Sequence, residues 1–191
     1  MKSTALFLGT SAALLAATSA IAAPGAPSLD PKPASAATVA AQRAVAARLP
    51  AEDGRDADFA ARGFIATRAD PAIRNAAGKL VWNLASYDFM GRAAPDTVNP
   101  SLWRHTGLLR KHGLFKVSEG VWQVRGFDVS NMTIIRGQTG WILIDPLTAK
   151  ETAAAALELV NQQLGPRPVT AVIYSHSHGD HYGGVRGVVN E

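Results

Sequence analysis

His176-Ser177-His178-Gly179-Asp180-His181 places three imidazoles and one carboxylate within six residues. Neutral imidazole and carboxylate are ligand types for a divalent transition metal such as zinc. In an extended stretch alternate side chains share one side. His176, His178 and Asp180 can therefore converge, with His181 projecting from the adjacent turn. One ion cannot easily take all four donors from so short a loop. Two neighbouring ions can, with His176 and His178 on one and Asp180 and His181 on the other. Two metals about 3.5–4 Å apart can share and activate a water and clamp a leaving oxygen. A lone histidine would be read as solvated surface. Here the cluster follows a strand, and Gly179, Gly183 and Gly184 let the backbone turn tightly, so a metal site is the reading. The chain has no cysteine, so the site must be built from His, Asp and Glu.

The elements around the motif are ordered to deliver it. Residues 114–117, 121–125 and 131–136 are rich in β-branched and aromatic side chains and read as strands. Gly137-Gln138-Thr139-Gly140 reads as a turn, and residues 141–145 as a continuous apolar strand buried on both faces. Residues 148–164 read as a helix, with Thr148 as cap and Glu151 completing a capping box. Residues 169–175 form another buried strand that runs into His176. A strand–helix–strand unit presents ligand chemistry at the carboxyl end of its last strand. Asp145 stands at the end of the strand before the helix. A carboxylate there more often supports a neighbour or accepts from a turn than catalyses.

Upstream, residues 37–49 read as an Ala-rich helix ended by Pro50. Short elements are expected at residues 58–62 (helix) and 80–84 (strand), among turn signals at Asp53-Gly54, Asp70-Pro71 and Ala77-Gly78. Asn99 can cap a helix with Pro100 in its first position, and Gly113 can end it. Trp82, Trp103, Trp122 and Trp141 sit in different elements and are read mostly as core rather than as an alkyl-binding surface.

Composition bounds the partners. Hydrophobic residues make up 47%, and the formal net charge is +4. The basic residues are scattered, the densest group being Arg104, Arg110 and Lys111, so no nucleic-acid grip is expected. At the amino terminus Lys2, an apolar run over residues 6–17 and Ala20-Ile21-Ala22 follow the order of a secretory signal peptide cleaved after Ala22. The run is shorter than the about 20 strongly apolar residues of a spanning helix, so no membrane anchor is expected. Export implies a periplasmic or secreted protein that does without disulfides.

The HxHxDH spacing is the signature of the metallo-β-lactamase superfamily. Within it the chain resembles the alkylsulfatases that hydrolyse long-chain alkyl sulfates. The matching stretches are residues 62–66, 94–104, 112–117, 123–128, 130–135, 140–147 and 171–188. They include Gln123-Val124-Arg125-Gly126-Phe127-Asp128 and Gly140-Trp141-Ile142-Leu143-Ile144-Asp145. The resemblance implies an α/β fold, the first half of a four-layer αββα sandwich. It is preceded by a signal peptide (1–22), a linker (23–36) and a partly helical extension (37–113), with the superfamily domain beginning at residue 114 and cut short at 191.

The resemblance also implies two zinc ions, hydrolysis of an amphiphilic sulfate ester to alcohol and sulfate with cleavage of the carbon–oxygen bond, and a homodimer for the full-length protein. It gives Asp145 the role of holding a ligand or loop in orientation. Family members are far longer, and their remaining metal ligands come from later sequence, so the chain is expected to be a fragment with little activity of its own. The alternatives are another hydrolase of the superfamily (a lactamase, lactonase or thioesterase) and a catalytically dead fragment. Turnover of dodecyl sulfate against a lactone or β-lactam separates them.

Overall fold

The computed structural model describes residues 32–50, 54–91 and 93–189. The expected signal peptide and most of the expected linker lie outside the described residues. No described helix is long and apolar enough to cross a membrane.

The chain runs through α1 (Ala36–Ala46), α2 (Arg55–Ala61), β1 (Phe64–Ala66), β2 (Ala72–Arg74), β3 (Leu80–Asn83) and α3 (Pro100–Leu109). It continues through β4 (Gly113–Ser118), β5 (Val121–Arg125), β6 (Met132–Arg136), β7 (Trp141–Ile144), α4 (Lys150–Leu164) and β8 (Val169–Ile173). Short 3₁₀ turns at Gly179–His181 and Val185–Gly187 follow. Six strands form one sheet in the order β1-β4-β5-β6-β7-β8, while β2 and β3 form a separate hairpin. All neighbours in the large sheet are antiparallel except β7 and β8. That parallel pair is joined through α4, since parallel strands need a crossover.

Alternation of side chains sets which face is covered. Trp122 and Val124 on β5, Met132 and Ile134 on β6, and Trp141 and Leu143 on β7 are buried. They join the buried face of α4, with Ala153, Ala156, Leu159 and Val160, in one core. The indoles of Trp122 and Trp141 meet edge to face at 5.9 Å, and Trp141 Nε1 donates to Asn161 Oδ1 of α4 at 2.9 Å. This is one helix layer on one sheet, the α/β half-sandwich expected from the sequence. β1 comes from the expected extension, yet it pairs with β4 and completes the sheet.

Several local expectations are corrected. β8 is not buried on both faces: Thr170, Ala171 and Ile173 are exposed, and β8 lies at an end of the sheet order. Ile142 and Ile144 of β7 are likewise half-buried rather than buried. Gly113 does not end α3, which stops at Leu109 with Arg110 as cap; Gly113 opens β4 at φ 141°. Its left-handed backbone lies against Ala66, leaving no room for a Cβ. Thr148 does not cap α4. Ala149 holds the cap position without a side-chain bond, because the Thr148 hydroxyl donates to Asp128 Oδ1 at 2.6 Å instead. Of the four tryptophans, Trp122 and Trp141 are fully in the core, while Trp82 and Trp103 are half-buried.

Candidate metal centre

The sheet topology gathers strand ends along one edge. β5 and β7 end there, β6 begins there, and β8, parallel to β7, delivers residues 174–181 to the same edge. Asp145 follows β7 directly, at φ 58°. Asp is among the non-glycine residues that tolerate the left-handed region. The turn continues through Leu147 at φ 64°, an uncommon value for a branched residue. Leu147 is held there by complete burial and by the Gly184 N–H, which donates to its carbonyl at 2.8 Å.

The Asp145 carboxylate is buried and fully engaged. It accepts from the Ser175 N–H at 2.7 Å, from the Ser175 hydroxyl at 2.6 Å, and contacts His181 Nδ1 at 2.8 Å. Burial pushes its carboxyl up, but the two Ser175 bonds and His181 together hold it below the ordinary carboxylate value. With Nδ1 occupied by Asp145, His181 presents Nε2 to the cluster, 3.3 Å from Asp180 Oδ2. His176 is fixed in the same manner: its Nδ1 lies 2.9 Å from the Ser175 hydroxyl. Ser175 thus links the His176 ring to the Asp145 carboxylate, which in turn meets His181.

The rings of His176 and His181 are 4.0 Å apart between centroids, and those of His176 and His178 are 4.6 Å apart. His176 and His178 are exposed, Asp180 and His181 half-buried. All four expected donors are therefore gathered at one edge. The division expected from the sequence set His176 and His181 on different ions, yet theirs is the tightest ring contact of the cluster. Among the described residues no group of three or more His, Cys, Asp or Glu is arranged to enclose an ion. The four form a gathered donor set without a completed coordination sphere. Their chemistry fits a divalent cation: the His176 and His181 rings, pinned at Nδ1 by a hydroxyl and a carboxylate, leave Nε2 as the donor atom.

Two supports were not evident from the sequence. The Ser130 hydroxyl, in the β5–β6 loop, donates to the carbonyl of Asp180. Asp128, in the same loop, is buried and accepts from Val129 N at 2.6 Å and from the hydroxyls of Thr148 and Thr152. It ties the loop to the start of α4. Gly183 and Gly184 lie in the turn expected of them and also serve close approach. A Cβ on Gly184 would fall 2.2 Å from the Pro146 carbonyl oxygen, and one on Gly183 2.4 Å from that of Thr148. Gly179 has open space around it.

Residues 125–191 match the model of the metallo-beta-lactamase superfamily. The chain is 50% identical over 162 residues to a linear primary-alkylsulfatase of Pseudomonas sp., covering 84% of this chain and 24% of that protein. It is 49% identical over 181 residues to an (R)-specific secondary-alkylsulfatase of Pseudomonas sp., covering 94% and 27%. An alkyl/aryl-sulfatase of Saccharomyces cerevisiae is 48% identical over 155 residues, covering 81% and 24%. Among solved structures, a stereoselective inverting sec-alkylsulfatase from Pseudomonas sp. superimposes with a TM-score of 0.79 at 49% identity, over 85% of this chain and 26% of that one. The chain spans about a quarter of the length of these relatives. The superfamily match implies a metal-dependent site. Residues 125–191 are thus similar to the metallo-beta-lactamase superfamily, and the chain is similar to alkylsulfatases over the quarter of their length that it shares.

Proposed function

We propose that this chain contributes the first metal-binding residues of an alkylsulfatase. That enzyme hydrolyses an amphiphilic sulfate ester with water to an alcohol and inorganic sulfate. The observation that carries the reading is 48–50% identity with three alkylsulfatases across 81–94% of the chain. The site geometry supports it. Zinc is the favoured metal because the donors are imidazole and carboxylate without thiolate. Two ions are proposed, held by His176, His178, Asp180 and His181 together with ligands from the remainder of the enzyme.

Bound there, such a pair supplies Lewis acidity and an activated water. The residues of this chain hold and orient. Asp145 keeps the proton of His181 on Nδ1, Ser175 aligns His176, and Ser130 anchors the backbone at Asp180. Export to the periplasm or beyond the cell and a homodimeric assembly belong to the same proposal.

The test is a chimera in which residues 23–191 replace the matching segment of the linear primary-alkylsulfatase. It should turn over dodecyl sulfate and leave a lactone and a β-lactam untouched, and His178→Ala in it should lower activity at least tenfold. Equal turnover of the lactone, or an unchanged rate in His178→Ala, would overturn the reading.

A further inference from the structure

Asp128 is a buried carboxylate, 7% exposed, with a hydrogen-bond load far heavier than one loop needs. Its Oδ1 accepts from the Val129 N–H and from the Thr148 hydroxyl, both at 2.6 Å. Its Oδ2 accepts from the Thr148 N–H at 3.2 Å, the Ala149 N–H at 3.3 Å and the Thr152 hydroxyl. Each oxygen therefore receives at least one backbone N–H. An amide cannot stand in for this carboxylate. Whichever way it turned, its NH₂ group would face a backbone donor and leave a buried N–H unpaired.

Two routes lead from Asp128 to Asp180. The first is the β5–β6 loop. Asp128 fixes the loop at Val129, and the next residue, Ser130, is buried and donates its hydroxyl to the Asp180 carbonyl. The second is the turn before α4, where Asp128 holds Thr148 and Ala149. The metal loop is seated on that turn. The Gly184 N–H donates to the Leu147 carbonyl at 2.8 Å. A Cβ on Gly183 would fall 2.4 Å from the Thr148 carbonyl oxygen, and one on Gly184 2.8 Å from that of Ala149. Ala149, at the cap position of α4, makes no side-chain bond, so Asp128 supplies the carboxylate at that end of the helix, where the dipole favours negative charge.

We propose that Asp128 is a positioning residue for the metal loop. Through Ser130 and through the turn at Leu147–Ala149 it fixes where Asp180 stands beside His181, and so sets the affinity of the site for a divalent cation. Asp128 holds no ion itself, since both of its oxygens are taken by donors of this chain. Groups that orient metal ligands are worth about 10–100-fold in affinity. The ordering of the loop follows from these bonds alone; the effect on affinity rests on the metal reading given above.

The test uses the 191-residue chain, first without metal and then with cobalt(II). Amide hydrogen exchange of the metal-free chain is followed residue by residue by nuclear magnetic resonance. In Asp128→Asn the Gly183 and Gly184 amides should exchange at least tenfold faster, while the amides of β5 and β6 stay within about twofold. Cobalt half-saturation should then need about tenfold more metal. Ser130→Ala cuts the first route, and Thr148→Val removes one donor from Asp128. Both should move the two readouts in the same direction by at least threefold, which keeps the proposal open to refutation if Asp128→Asn does not fold. Val160→Ala truncates the core on α4 without touching any of these bonds, and should leave cobalt binding within twofold. His178→Ala should weaken cobalt binding without loosening Gly183 and Gly184. Exchange that rises equally across the sheet in Asp128→Asn, or an equal loss of cobalt affinity in Val160→Ala, would make Asp128 a general stabiliser and overturn the proposal. Unchanged cobalt binding in the Asp128, Ser130 and Thr148 variants beside a weakened His178→Ala overturns it alone. A parent chain that binds no cobalt overturns the metal reading and this proposal with it.

Discussion

The carboxylate of Asp145, at the end of β7, lies 2.8 Å from Nδ1 of His181, thirty-six residues further on. That contact converts a strand end into a fixed imidazole. It holds the ring with Nε2 3.3 Å from Asp180 Oδ2, and in the proposed metal site it would raise the basicity of that nitrogen.

Asp145→Asn keeps a side chain that tolerates the left-handed backbone but removes the charge facing His181. Divalent metal affinity should fall about 10–100-fold, with the far-ultraviolet spectrum of the folded chain retained. Asp145→Val should in addition unfold at lower temperature, because a branched residue is strained at φ 58°. Equal metal affinity in Asp145→Asn and the parent would show that the contact is structural only.

Gly184→Ala drives a Cβ to 2.2 Å from the Pro146 carbonyl oxygen, a backbone atom that cannot turn aside. Thermal denaturation should show a loss of about 1–3 kcal/mol, the usual cost of overpacking, and metal affinity should fall with it. Gly179→Ala meets nothing within 4 Å and should melt like the parent. Indistinguishable melting of the two variants would remove close packing as the reason for Gly184.

The fold was legible where side-chain periodicity and local grammar agreed. β5 and the Asn99–Pro100 start of α3 came out as expected, because alternation and capping are local signals. The four residues proposed as metal donors stand out for the same reason: they lie within six residues. What was hidden depended on distant partners. Thr148 and Glu151 spell a capping box, but Asp128, twenty residues away from Thr148, takes the threonine hydroxyl. β1 and β2 are three residues each and owe their existence to pairing with β4 and β3. Ser175 gave one signal, its place directly before His176; Ser130 gave none. β8 reads as a doubly buried strand because Val169, Ala171, Val172 and Ile173 are apolar, yet one of its faces is open.

Stability should depend on pH through His112. Its Nδ1 lies 2.7 Å from the Thr67 hydroxyl, and burial holds its pKa below the ordinary 6.5, with Lys111 adding to the lowering and Asp88 opposing it. The unfolded chain therefore binds the proton more readily. This group's contribution is fully present above the unfolded value and is lost as pH falls through that value toward the folded one. The urea midpoint should drop over that range, and His112→Gln should flatten the drop. An unchanged pH dependence in His112→Gln would assign the effect elsewhere.

β8 ends the sheet order and exposes Ile173, 48% accessible, on its open face. An apolar strand at a sheet edge is a template for self-association. Ile173→Lys should shift the purified chain toward monomer in analytical ultracentrifugation at matched concentration. The same distribution for variant and parent would show that association runs through another surface.

The most direct test of the metal assignment is a cobalt(II) titration of the 191-residue chain followed by visible absorption, alongside His178→Ala and His181→Ala. The parent should develop ligand-field bands of nitrogen and oxygen coordination, and each variant should need at least tenfold more cobalt to reach half of that signal. Identical titration curves for the parent and both variants would contradict the assignment of His176, His178, Asp180 and His181 as the metal-binding residues.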